Sequence, residues 1–83
     1  MAIAKRPEVM RGFTDGGYAF TAEFEGNVWG FACDDFPGAN SMGSTFKEGR
    51  ESLEEIVGGL IAIYREEGKP YPKPTEPGIL RAV

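Results

Sequence analysis

Residues 18–25, YAFTAEFE, set Tyr18, Phe20, Ala22 and Phe24 alternately against Ala19, Thr21, Glu23 and Glu25. Such a two-residue period marks a strand with one buried face. Gly26 and Asn27 follow, a pair suited to a type II′ or I′ hairpin turn because both tolerate positive φ. The second strand is then VWGFACD. A two-residue turn sets the register, so Glu25 faces Val28, Phe24 faces Trp29, Ala22 faces Phe31 and Phe20 faces Cys33. The aromatic side is the predicted core, which makes Cys33 a buried apolar filler rather than a reactive thiol. The opposite side pairs Ala19, Thr21, Glu23 and Glu25 with Asp34, Ala32, Gly30 and Val28, a face of small residues edged with acid.

Around this hairpin, 18–35, the remaining pattern supplies one helix and short flanking pieces. An N-terminal extension, 1–17, holds a candidate strand at 8–13 and an Asp-Gly-Gly turn. Residues 36–44 contain a Pro-Gly turn and a short strand around Asn40 to Gly43. Thr45 with Glu48 has the spacing of a capping box, and Gly68 supplies a left-handed stop, predicting a helix over 46–67. On a helical wheel Phe46, Gly49, Leu53, Ile56, Val57, Leu60, Ile61, Ile63 and Tyr64 fall within an arc of roughly 160°, broad enough to lie on a sheet. Prolines at 70, 72, 74 and 77 make 69–77 a stiff extended connector. The ending GILRAV is short and apolar enough to add a last strand over 79–83, or to end frayed. The expected fold is α+β: a hairpin-based antiparallel sheet of three to four strands, with one long amphipathic helix on one face. Residues 18–83 form a single domain.

Composition narrows the chemistry. A chain of 83 residues supports one small core, and its hydrophobic content of 41% is too high for a disordered chain. The formal net charge of −4 disfavours nucleic-acid backbones and suits a basic partner. With no histidine, the commonest general base and nitrogen ligand are missing, so triads are excluded; one cysteine allows neither an internal disulfide nor a zinc cluster. Neither P-loop nor GxGxxG spacing occurs, and no cofactor is expected. The longest near-apolar run, 56–64, is far below the roughly 20 residues needed to span a bilayer, and the start lacks a signal-peptide run. A cytoplasmic, membrane-free protein is the expectation.

The acidic residues admit two chemistries. Glu23, Glu25, Asp34 and Asp35 could suggest a metal-dependent nuclease, but the register separates Glu23 from Asp34 by roughly 13 Å, too far for a two-ion site. They are read instead as a partner-binding surface, Glu23, Glu25 and Asp34 on the open face and Asp35, pointing the other way from Asp34, beside the turn, with no catalytic or metal-ligating set and no enzymatic activity. On the helix, Ser52, Glu55, Gly58, Gly59 and Ala62 share the outward face, where each glycine costs about 1 kcal/mol relative to alanine. The glycines are either tolerated surface residues or an oligomer contact that lets a second backbone come close.

The order of hairpin, Asp35-Phe36-Pro37-Gly38 turn, polar strand, Thr45-Phe46-Lys47-Glu48-Gly49 helix start and Gly68-Lys69-Pro70 tail resembles the HicB-like antitoxin family over about residues 18–74. The resemblance implies a partial ribonuclease-H-like fold without that fold's catalytic carboxylates. It implies dimers or tetramers, and a role in masking the active site of a small basic mRNA-cleaving toxin. Many relatives carry a C-terminal DNA-binding module; none is recognised here, so direct DNA binding by this chain alone is not expected. The alternatives are a stand-alone homo-oligomeric regulator or scaffold without a toxin, and a residual metal-dependent nuclease.

Overall fold

The computed structural model of the chain describes residues 8–75. Four strands form one antiparallel sheet in the order β1-β2-β3-β4: β1 Glu8–Phe13, β2 Ala19–Glu25, β3 Val28–Cys33 and β4 Asn40–Gly43. One helix, α1, spans Phe46–Glu66. The architecture is α+β, as the periodicities predict. Residues 1–7 and 76–83, including the expected final strand over 79–83, lie outside the described residues.

Turn chemistry explains the sheet. Gly26 and Asn27 have φ of 62° and 65°, the type I′ geometry whose twist matches that of the flanking strands. The β2–β3 register follows directly: Glu25 faces Val28, Phe24 faces Trp29, Ala22 faces Phe31 and Phe20 faces Cys33. Phe20, Ala22, Phe31 and Cys33 are all buried. Trp29 packs edge-on against Phe46 of α1 with ring centroids 5.1 Å apart, and Phe24 lies 5.1 Å from Trp29. Burial pushes the Cys33 thiol pKa up, the state of an inert core cysteine.

The helix lies over β3 and β4. Gly49, Leu53 and Val57 form its buried line, with Phe46, Ile56, Leu60, Ile61 and Tyr64 packed beside them. Ile63 departs from the predicted stripe: it is 49% exposed, because the sheet is narrower than the apolar arc and α1 overhangs it. Gly49 explains the close approach. A Cβ there would overlap the Phe31 ring, 2.6 Å from Cδ1, and one at Gly43 would sit 2.9 Å from Gly49 Cα. Two glycines thus let strand and helix backbones meet. Ser41 Oγ donates to the Gly49 carbonyl at 2.7 Å across the same contact.

The helix ends differ slightly from expectation. Thr45 Oγ1 accepts from Glu48 N at 3.1 Å, as an N-cap should. The Glu48 carboxylate, however, accepts from Ser44 N and Oγ rather than closing the box on Thr45. At the other end, the helix stops at Glu66 and Gly68 takes φ of 68°, with Lys69 N donating to the Tyr64 carbonyl.

Candidate functional site

The sheet face away from α1 is built by alternation. Residues paired across antiparallel strands share a face, so Val9, Arg11 and Phe13 of β1 lie beside Glu23, Thr21 and Ala19 of β2. Gly30 and Ala32 of β3 come next, then Met42 and Asn40 of β4. Glu23, Glu25 and Asp34, the acidic residues singled out from the hairpin, belong to this open face and are exposed. A shallow depression over its middle is lined by Thr21, Glu23, Gly30, Ala32, Asn40 and Met42 among others. Gly30 forms its floor: a Cβ added there would meet nothing within 4 Å.

The acidic residues have separate surroundings. Asp34 accepts hydrogen bonds from Thr21 Oγ1 at 3.0 and 3.2 Å, which aims its carboxylate over β2. Among the described residues no three Asp, Glu or Cys side chains gather where they could hold a metal ion. Asp35 is engaged inside the molecule. Its carboxylate accepts from Ala19 N at 2.8 Å, from Thr75 N at 3.2 Å and from Thr75 Oγ1. It therefore ties the start of β2 to the chain beyond the helix rather than joining the other three acids.

That proline-rich segment is accordingly not a free connector. Tyr18 Oη donates to the Pro72 carbonyl at 2.8 Å, Tyr71 packs against the core, and Arg65 Nε donates to Tyr71 Oη at 3.1 Å. Partial burial alone would raise the Asp35 pKa, but hydrogen bonds from Thr75 and from the Ala19 amide outweigh it and hold the carboxyl below its ordinary value. A depressed pKa stabilises the latched state above the unfolded pKa of about 3.9, and this contribution is lost as pH falls through the folded value. Protection of the Thr75 amide, its exchange rate relative to a free amide at the same pH, should be strong at neutral pH and fall in acid. Asp35→Asn should show little protection at any pH; strong protection in that variant would show that the carboxylate holds nothing.

On the helix, Gly58 and Gly59 are exposed, and a Cβ added at either position would meet nothing within 4 Å. Glu55 and Ala62 are exposed beside them, while Ser52 is half-buried toward Met42 and Gly43. Because the space is open, Gly58→Ala and Gly59→Ala should each stabilise the fold by about 1 kcal/mol through helix propensity. Thermal unfolding checks this, and a lower Tm would reveal a close contact at these positions. Among the described residues no helix is long and apolar enough to cross a membrane.

Several contributors to this face escaped the sequence pattern. Arg11, Val9 and Phe13 enter through the β1–β2 register, and Asn40 and Met42 through β4. The alternation of the hairpin alone carried no sign of them. Thr21 had a usable signal, since the two-residue turn sets it opposite Ala32, next to Asp34. No protein-family model, curated protein or solved structure matches the chain.

Proposed function

We propose that the chain is a HicB-like antitoxin-type binding protein, whose open sheet face covers a small basic mRNA-cleaving ribonuclease. The observation that carries it is one solvent-open face bearing Glu23, Glu25 and Asp34 at separated positions, with Glu23 lining a shallow depression. Spread carboxylates suit a wide basic surface, because each can meet a different Lys or Arg and complementary charge steers the encounter. They do not suit a two-ion centre, which needs oxygens converging within about 4 Å of paired metals. The order of the turn, capped helix and proline-spaced tail supports the same family reading. Asp35 then serves that surface indirectly, by fixing the end of β2.

Affinity capture from the native host, together with co-expression of small basic proteins encoded beside this chain, tests the proposal. The expected result is a stoichiometric complex with a basic ribonuclease whose RNA cleavage is suppressed. Recovery of the chain with no basic partner, after both experiments, would overturn it. A second reading, a self-assembling scaffold or regulator, is favoured by one observation: Val9, Met10 and Phe13 leave apolar surface exposed along β1.

A further inference from the structure

Strand β1 is an edge strand, and its pattern is unusual for one. Val9 is 53% exposed and Phe13 38% on the open face, while Met10 is 47% exposed on the helix side. Apolar groups thus lie bare on both sides of a continuous six-residue strand that no bulge interrupts. Protective edges carry lysine, proline or bulges against pairing. Among the described residues β1 has no lysine, proline or bulge, and its charged residues, Glu8 and Arg11, flank the exposed Val9–Met10 pair.

The free backbone groups can be assigned. Thr14 N donates to the Tyr18 carbonyl, which makes that facing pair a hydrogen-bonded one. Hydrogen-bonded and non-bonded pairs alternate along an antiparallel ladder. Gly12, Met10 and Glu8 therefore bond inward to β2, and Val9, Arg11 and Phe13 point their N–H and C=O groups outward. An independent contact agrees: the Phe13 carbonyl accepts from Arg50 Nη2 at 3.0 Å and so does not face β2. Among the described residues nothing bonds the outward groups of Val9 and Arg11, which are placed to pair with another strand.

We infer that β1 is the edge by which two copies of this chain pair, antiparallel about a two-fold axis at Met10, with Val9 of each opposite Arg11 of the other. This contact lies on a strand outside the stretch resembling HicB-like proteins; it shares Glu23 with the proposed toxin-facing surface, so its test reads self-association of the chain alone. The register follows from three constraints. Outward-pointing residues must pair with outward-pointing residues, so Val9 and Arg11 exchange both N–H···O bonds twice across the axis. Sliding one way would set Arg11 against Arg11, with like charges opposed, and would present the Phe13 carbonyl already taken by Arg50. Sliding the other way would set Arg11 against position 7, where proline has no N–H to give.

Charge favours a second copy over a foreign strand. Val9 faces Glu23 within each sheet. Arg11 of the second copy, lying beyond Val9, stands about 10 Å from Glu23 across two strand spacings, a gap that the two long side chains close. The exchange occurs twice by symmetry, so every Arg11 meets a Glu23. On the helix side Met10 meets Met10 at the axis, covering the apolar group that each chain leaves bare. The two sheets become one continuous sheet, with the open acidic faces of both copies on the same side.

Cysteine cross-linking and solution mass test this. Facing residues of a non-hydrogen-bonded pair stand about 4.5 Å apart at Cα, within disulfide range. Met10→Cys should therefore oxidise to a linked dimer, whereas Glu8→Cys, facing Gly12, should not; Cys33 is buried and does not compete. By sedimentation the unmodified chain should show twice the monomer mass. Arg11→Glu should weaken association roughly ten-fold, and adding Glu23→Arg should restore it. Both changed side chains are exposed, so the fold is kept. A monomer at every concentration, linkage no faster for Met10→Cys than for Glu8→Cys, or a dimer unchanged by Arg11→Glu but lost with Gly58→Leu would overturn the assignment.

Discussion

Phe36→Ala is expected to cost about 3–5 kcal/mol, most of the stability margin of a small domain, and to leave much of the chain unfolded at physiological temperature. Phe36 is 2% exposed and follows the acidic pair directly, so its ring pins the Pro37-Gly38 turn to the core. Tyr18 and Tyr64 both meet it edge-on, with ring centroids 5.8 and 5.7 Å away. Removing the ring opens a cavity between β2 and the helix C-terminal half, and the Ala39 N–H bond to the Phe36 carbonyl loses its anchor. Phe36→Leu restores most of the volume and should recover most of the loss. Equilibrium denaturation checks both. A loss below about 1 kcal/mol for Phe36→Ala would mean that the turn is held by its backbone alone.

Reversing charge on the open face should have the second large effect, on binding rather than stability. Glu23→Lys with Asp34→Lys turns two attractive positions into repulsive ones and should weaken a basic partner on the order of 100-fold. The single Asp34→Lys also discards the Thr21 hydrogen bonds, but these are exposed, so the fold should be nearly unaffected. Affinity of the unaltered protein should fall with added salt, and that of the double variant should depend on salt much less. Titration calorimetry at two ionic strengths measures both. Equal affinity for the two proteins would remove Glu23 and Asp34 from the interface.

How legible these features were depended on sequence distance. The hairpin register could be read because the residues that set it, Gly26 and Asn27, sit between the strands they align. The helix start was similarly local, though Ser44 rather than Thr45 receives the Glu48 carboxylate, a choice between adjacent amides that spacing cannot resolve. Ile63 was assigned to the core because a helical wheel contains no information on how wide the sheet beneath it is. Asp35 shows the larger limit. Its partner Thr75 lies 40 positions away, beyond the helix, and no periodicity links the two. Adjacent Asp34 and Asp35 had to point to opposite faces, which already set Asp35 apart from the three acids of the open face; only its hold on the proline-rich segment was hidden.

We propose the open sheet face as the docking surface for a basic ribonuclease. Its most direct test is RNA cleavage by the captured partner, titrated with this chain. Cleavage should fall to background near one equivalent of the unaltered protein and persist with an equal amount of the Glu23→Lys, Asp34→Lys variant. Cleavage that continues undiminished in excess unaltered protein, or that both proteins suppress equally, would contradict it.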